Sequence, residues 1–228
     1  MSKLLKKELT LCLNPQVIIF ALLSALVVIP EWPAAIGFIY PLAGLATIFP
    51  RALSDQDIQY TAMLPIRKGD VVKSKTLLIM AVQLFSVLFS IPFAFIKTLI
   101  INPSLISQLS GEQDAIATET NYILSTSPCL SIYGGLLLAF GVFNIILIPW
   151  YYKNPSKVNW PQITSLFVGM FILGIVSAMV ALIPSLYSYE GNNLYIQIAI
   201  LVVGILAYFG LTFLAEKLGE KHFDKVDL

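Results

Sequence analysis

The sequence predicts an all-α membrane protein with six transmembrane helices, and three observations support this prediction. Of the 228 residues, 57% are hydrophobic and only 12% are charged, about half the charged share of an average soluble domain. The apolar residues fall into six stretches, and one bilayer crossing takes about 20 such residues. Thirteen of the fourteen basic residues lie in segments on the same predicted side of the membrane. This composition excludes a soluble enzyme with a large catalytic domain.

The six predicted spans form one transmembrane domain, residues 1–228. They cover residues 17–29, 34–49, 76–101, 131–152, 163–183 and 195–215. Residues 30–33, with two prolines, predict a tight hairpin between the first two spans. Residues 102–128 form the largest loop on the opposite side from the basic segments, and residues 216–228 form a charged tail.

Charge placement orients the chain in the membrane. Basic residues are enriched in cytoplasmic segments of membrane proteins, so both termini and the loop at 51–75 are predicted to be cytoplasmic. The one exception is Lys97, near the far end of the third span, and we expect its long side chain to extend to the membrane surface. Cys12 and Cys129 then lie on opposite faces, which predicts two unpaired thiols.

Residues 1–14 predict a short amphipathic helix in the membrane interface. Leu4, Leu5 and Leu9 share one face, whereas Lys6 and Lys7 project towards water and anionic headgroups. A cleaved signal peptide is the competing interpretation of this basic and then apolar start. Cleavage after the first span would leave an odd number of spans, so we prefer the interfacial helix.

Motifs for several kinds of catalysis are absent from the sequence. The segment beginning at Gly69 contains lysine and serine, but it lacks the spacing of a phosphate-binding loop. His222 is the sole histidine and lies in the charged tail, which excludes histidine-based metal sites and a serine–histidine pair within the spans. Gln83 and Asn144 are the clearest polar residues within the spans, and we expect them to form hydrogen bonds between helices.

The loop at 51–75 contains a predicted helix of its own. Ser54 followed by Asp57 is a capping-box arrangement, which predicts a helix from residue 54 to residue 64. Pro65 then disfavours helical geometry in the residue before it, and Asp70 is placed to cap the next helix. Because a simple connection needs only a few residues, this extra helix suggests a docking element.

The same loop resembles a known family. Asp55, Asp57 and Tyr60, followed by Met63-Leu64-Pro65-Ile66-Arg67-Lys68 and a valine- and lysine-rich entry to the third span, are similar to the signature of small bacterial ABC-2-type transporter permeases. These include permeases of phenol-soluble-modulin exporters and of antimicrobial-peptide export or immunity systems. One difference is the short loop at 184–194, where many ABC-2 exporters have a re-entrant helix pair.

The resemblance implies a permease subunit without enzymatic activity that exports amphipathic peptides or similar hydrophobic molecules through the cell membrane. Its partners would be cytosolic ABC ATPase subunits, a second permease subunit (identical or a paralogue) and membrane lipids, with no nucleic acid. No cofactor is expected in this chain, because ATP and Mg²⁺ would bind to the partner ATPase. The implied coupling residues are Asp55, Asp57, Ile58, Tyr60, Met63, Leu64, Pro65, Arg67 and Lys68.

Two other functions remain open at this point. The chain has the size of a membrane subunit that captures substrate for an importer, although its acidic outer loop lacks aromatic pockets. It is also compatible with a membrane anchor or sensor that transports nothing. Co-purification of a stoichiometric ATPase distinguishes an exporter subunit from an anchor or sensor.

Overall fold

A computed structural model describes residues 7–9, 14–29, 32–55, 57, 67–100, 129–187 and 193–225. In these ranges the chain is helical and contains no β-strand. The helices are α1 (Pro15–Leu22), α2 (Ala34–Ala46), α3 (Ile48–Ser54), α4 (Lys68–Ile100), α5 (Leu130–Lys153), α6 (Asn159–Leu182) and α7 (Asn193–Phe223). Short 3₁₀ helices cover Leu23–Val28, Pro155–Lys157 and Pro184–Leu186. The predicted outer loop at 102–128 and most of the predicted interfacial helix at 1–14 lie outside the described residues.

Five helical segments are long and apolar enough to cross a membrane: α2 together with α3, α4, α5, α6 and α7. The all-helical fold that the sequence predicts is therefore confirmed for the described residues, and five of the six predicted spans have the length and composition of membrane-spanning helices. The sixth predicted span is not confirmed. Its helix, Pro15–Val28, is a shorter apolar element, and its α-helical and 3₁₀ portions together rise only about 24 Å, against roughly 30 Å of hydrocarbon.

Two of the predicted spans continue as longer helices at the end where the basic residues gather. α4 begins at Lys68, two residues before the Asp70 cap that the sequence predicts for the helix leading into the third span, so Asp70 lies in the first turn instead of capping it. The backbone N–H of Asp70 donates to the carbonyl of Arg67 at 3.0 Å. α7 continues to Phe223, so most of the predicted tail is helical. Residues 216–223 include two glutamates and two lysines, which are good helix formers.

α5 is the central helix of the bundle. It packs against α7 along its whole length. Gly134 contacts Ile200 near the start of both helices, and Tyr152 contacts Phe223 near the end of both, so the two helices run parallel. An added Cβ on Gly134 would lie 2.6 Å from the carbonyl oxygen of Ile200, and one on Gly204 would meet the backbone of Gly134. Small residues of this kind let transmembrane helices approach closely. The position of α5 is therefore set by backbone contacts that admit no larger side chain.

The basic residues that the structure describes gather at one end of the bundle, here called the basic end, with Lys97 as the exception. α3, α5 and α7 end there and α4 and α6 begin there. Aromatic rings pack this end: Phe49 lies 4.4 Å from Tyr151, and Tyr152 lies 5.0 Å from Phe223, between ring centroids. The one-sided charge distribution that the sequence predicts is thus present in the fold.

Candidate functional site

A buried group of polar side chains joins α4, α5 and α7 in the middle of the bundle. The Gln83 and Asn144 amides bond each other reciprocally, at 2.9 and 3.0 Å. Asn144 also donates to the hydroxyl oxygen of Thr212 at 3.0 Å, and the hydroxyl of Tyr208 donates to Gln83 Oε1 at 2.9 Å. These four residues, here called the polar cluster, confirm the predicted role of Gln83 and Asn144 as hydrogen-bonding links between helices.

A large apolar cavity begins directly beyond the polar cluster, on the side away from the basic end. Its volume is about 750 Å³, within the range of small-molecule sites in proteins. Its lining comes from α4, α5 and α7 and consists of Leu84, Val87, Leu88, Ile91, Ala94, Phe95, Thr98, Leu130, Tyr133, Leu137, Leu201, Ile205, Tyr208 and Phe209. Tyr208 belongs to both features, so the polar cluster closes the cavity towards the basic end.

The cavity exists because α4 and α7 separate along their length. At the basic end the two helices touch, with Val72 against Gly219 and Lys73 Nζ 3.8 Å from Glu216. Further along α4, Leu88 and Phe95 are 65% and 66% exposed although both line the cavity. In the part of the chain that the structure describes, the gap between the helices is therefore open sideways, on an apolar surface.

A second buried group, of four charged side chains, lies at the basic end. Lys75 Nζ lies 2.8 Å from Asp57 Oδ2 and 3.7 Å from Glu8 Oε2. Lys7 Nζ lies 2.6 Å from Asp57 Oδ1 and 3.9 Å from Glu8 Oε1. Lys7, Glu8, Asp57 and Lys75, here called the ion cluster, carry two positive and two negative charges. The side chains of Lys75 and Glu8 are only 2% and 1% exposed.

The ion cluster keeps the Asp57 carboxylate ionised. Burial acts to raise the pKa of this carboxyl group, but the charge of Lys75 and the hydrogen bonds from Lys7 and Lys75 outweigh burial and lower the pKa below its ordinary value. Asp57 is thus a fixed anionic anchor for two lysines. The sequence interpretation placed it in a loop helix available for docking, and the structure places it in a buried contact.

The other predicted coupling residues divide into three groups. Ile58, Tyr60, Met63, Leu64 and Pro65 lie outside the described residues. Asp55 and Arg67 are exposed, and Asp55 lies 3.7 Å from Arg51 one helical turn earlier. Lys68, the first residue of α4, donates to the carbonyl oxygen of Phe223 at 3.5 Å and thereby links α4 to α7.

The predicted capping role of Ser54 is wrong. Ser54 is the last residue of α3, and its hydroxyl donates to the carbonyl oxygen of Pro50 at 3.1 Å. Serine can bond either to the turn before it or to the turn after it, and here it bonds backwards. The other member of the predicted capping box, Asp57, bonds to Lys7 and Lys75.

Lys97 is held by the protein itself. Its side chain is fully buried, and its ammonium donates to the carbonyl oxygen of Trp32 at 3.0 Å, while the predicted extension to the membrane surface stays a prediction. Trp32 lies in the connection between α1 and α2, where its carbonyl is outside a helix and can accept this bond. Lys97 therefore fastens the far end of α4 to that connection.

Lys7 was predicted to project towards water, but its ammonium bonds to Asp57 and its side chain is only 18% exposed. Sequence reasoning also missed four other members of the two buried clusters: Glu8, Lys75, Tyr208 and Thr212. The burial of Lys75 could have been inferred from the sequence. This residue lies seven positions after the start of α4, where helical periodicity places its charge beside apolar neighbours.

No family model, curated protein or solved structure matches the chain.

Proposed function

We propose that the chain is the membrane subunit of an ATP-driven exporter for amphipathic peptides or similar hydrophobic molecules. In this proposal it has six spans with both termini in the cytoplasm. It pairs with a second permease subunit, identical or a paralogue. Cytosolic ABC ATPase subunits, which bind the ATP and Mg²⁺, dock at the segment between α3 and α4.

The cavity between α4 and α7 is the observation that carries this proposal. Its apolar lining and sideways opening suit a molecule that partitions into the membrane. They do not suit a sugar or an ion, which needs polar partners throughout. The polar cluster at the end of the cavity gives an amphipathic molecule a place for a polar group, next to the Tyr208 hydroxyl.

The position of the cavity also fits a mechanism in which an ATPase acts on the chain at the basic end. One wall of the cavity belongs to α4, which runs without interruption from Lys68 to Ile100. A displacement of the start of α4 by a docked ATPase therefore moves that wall directly, and the cavity widens or narrows.

The test is a reconstitution with a matched pair of substitutions. The tagged chain is purified with the ATPase that accompanies it and placed in liposomes, and hydrolysis is measured with and without a fluorescent amphipathic helical peptide. Ala94→Trp fills the cavity, whereas Ala178→Trp enlarges an exposed position on α6. We expect Ala94→Trp to abolish stimulation by the peptide and to keep basal hydrolysis, while Ala178→Trp leaves both unchanged.

Two outcomes would contradict the proposal. The first is a chain that purifies without an ATPase under conditions that retain its fold. The second is peptide-stimulated hydrolysis that is equal in Ala94→Trp and the parent, because the cavity would then play no part in recognition. Size-exclusion profiles of both variants control for misfolding.

A further inference from the structure

We infer that Lys7, Glu8 and Lys75 act with Asp57 as positioning residues that bind three separate parts of the chain into one force-transmitting unit. This inference rests on the proposed function, in which the segment between α3 and α4 receives motion from an ATPase. The sequence interpretation assigned the three additional residues to membrane orientation or gave them no role at all.

The ion cluster joins segments that are far apart in the sequence. Lys7 is 50 residues from Asp57, and Asp57 is 18 residues from Lys75. Each lysine lies within 4 Å of both acids, so the four groups form a closed set of pairs and not a simple chain. The N-terminal segment, Asp57 in the segment between α3 and α4, and the start of α4 therefore meet at one point.

Burial makes this junction stiff. A buried ion pair strongly resists loss of one partner, because the charge left behind has no water to stabilise it. The exposed pair of Arg51 and Asp55, at 50% and 57% side-chain exposure, lacks this property, since water competes for both charges. A displacement of the segment that contains Asp57 therefore moves Lys75 and α4 in the same direction, and it does not separate Asp57 from Lys75.

The junction also connects to the cavity and to the central helix. Leu84, the first cavity residue on α4, lies nine residues beyond Lys75, about 14 Å along an uninterrupted helix. Lys75 Nζ lies 5.9 Å from the ring centre of Phe49, whose ring packs on Tyr151 of α5. Motion at the ion cluster is therefore transmitted along α4 to the cavity, while α3 and α5 provide the surface against which it acts.

The experiment has a structural and a functional arm, and both use the full-length chain. Lys75→Met removes the charge and keeps the length of the side chain, and Lys75→Arg restores the charge. Lys73→Met is the matched control, because Lys73 lies on the same helix, is 46% exposed at its side chain and faces Glu216. In the structural arm, we expect Lys75→Met to accelerate amide hydrogen exchange in the peptide containing residues 7–9 at least ~10-fold. Lys75→Arg and Lys73→Met should leave this exchange unchanged.

In the functional arm, the same variants are assayed with the ATPase that accompanies the chain and the fluorescent amphipathic peptide. We expect Lys75→Met to bind the ATPase and hydrolyse ATP at the basal rate, but to lose stimulation by the peptide, which Lys75→Arg retains. A role in stability alone would lower all three quantities together. If Lys75→Met fails to fold, the double variant Asp57→Asn, Lys75→Met replaces it. The double variant removes one charge of each sign and leaves Lys7 and Glu8 as an ion pair. It should show the same loss of stimulation.

The possible results separate the two proposals. Normal stimulation in Lys75→Met or in the double variant, with the ATPase bound, overturns the transmission role and leaves the exporter proposal intact. Unchanged hydrogen exchange at residues 7–9 in both variants overturns the junction itself. A chain that retains its fold and binds no ATPase overturns both proposals.

Discussion

The substitution Asn144→Leu tests whether the hydrogen bonds of the polar cluster stabilise the packing of α4, α5 and α7. Leucine has nearly the same size, so the change removes hydrogen bonds with little effect on packing. Asn144 takes part in three bonds, two with Gln83 and one with Thr212. Hydrogen bonds between transmembrane helices average about 0.6 kcal/mol each, so the expected loss in the free energy of unfolding is about 2 kcal/mol. Thr212→Val removes only one of these bonds and should cost about 0.6 kcal/mol.

The assay is unfolding of the purified chain in mixed micelles, followed by circular dichroism as the denaturing detergent is increased. Asn144→Leu should shift the midpoint about three times as far as Thr212→Val. Equal shifts, or no shift for Asn144→Leu, would refute the reasoning, because they would mean that the three bonds do not contribute additively to holding α4, α5 and α7 together.

Three further predictions follow from the structure. Gly204→Ala should lower the free energy of unfolding by about 1–3 kcal/mol, because the added Cβ meets the backbone of α5. Gly210→Ala should have no such effect, because an added Cβ there would have no neighbouring atom within 4 Å. Thermal unfolding of both variants checks this. The Asp57 carboxylate, whose pKa is lowered by folding, should contribute stability that is complete above its ordinary pKa and is lost as the pH falls through the lowered value. A pH series of unfolding midpoints should therefore show a steeper loss in acid for the parent than for Asp57→Asn. In intact cells, a cysteine at Gln113 should react with an impermeant reagent while a cysteine at Lys157 stays protected, and reaction at both would contradict the proposed orientation.

The features that the sequence predicts well are those set by composition and local pattern. Long apolar stretches predict α5 and α6 to within a few residues at most boundaries, because a span must satisfy its backbone hydrogen bonds internally. The bonding of Gln83 and Asn144 follows from the same logic, since a buried amide in a span needs a partner. Neither inference requires knowledge of which helices are neighbours.

The features that it predicts poorly depend on contacts between distant residues. Lys7 and Lys75 have the pattern of charges that orient a membrane protein, and only the fold brings Asp57 and Glu8 to them. Ser54 has equally good acceptors before and after it, so its sequence context does not decide its partner. The cavity likewise arises from the separation of α4 and α7, which no residue pattern in either helix specifies.

The short first helix has a consequence for the lipid around it. For the six-span arrangement to hold, an element of about 24 Å has to bridge roughly 30 Å of hydrocarbon. Local thinning of the bilayer around α1 would meet such a mismatch, at a cost of fractions of a kcal/mol per Å. Short-chain lipids would gather there, and the height of the bilayer would differ between the two sides of the same protein.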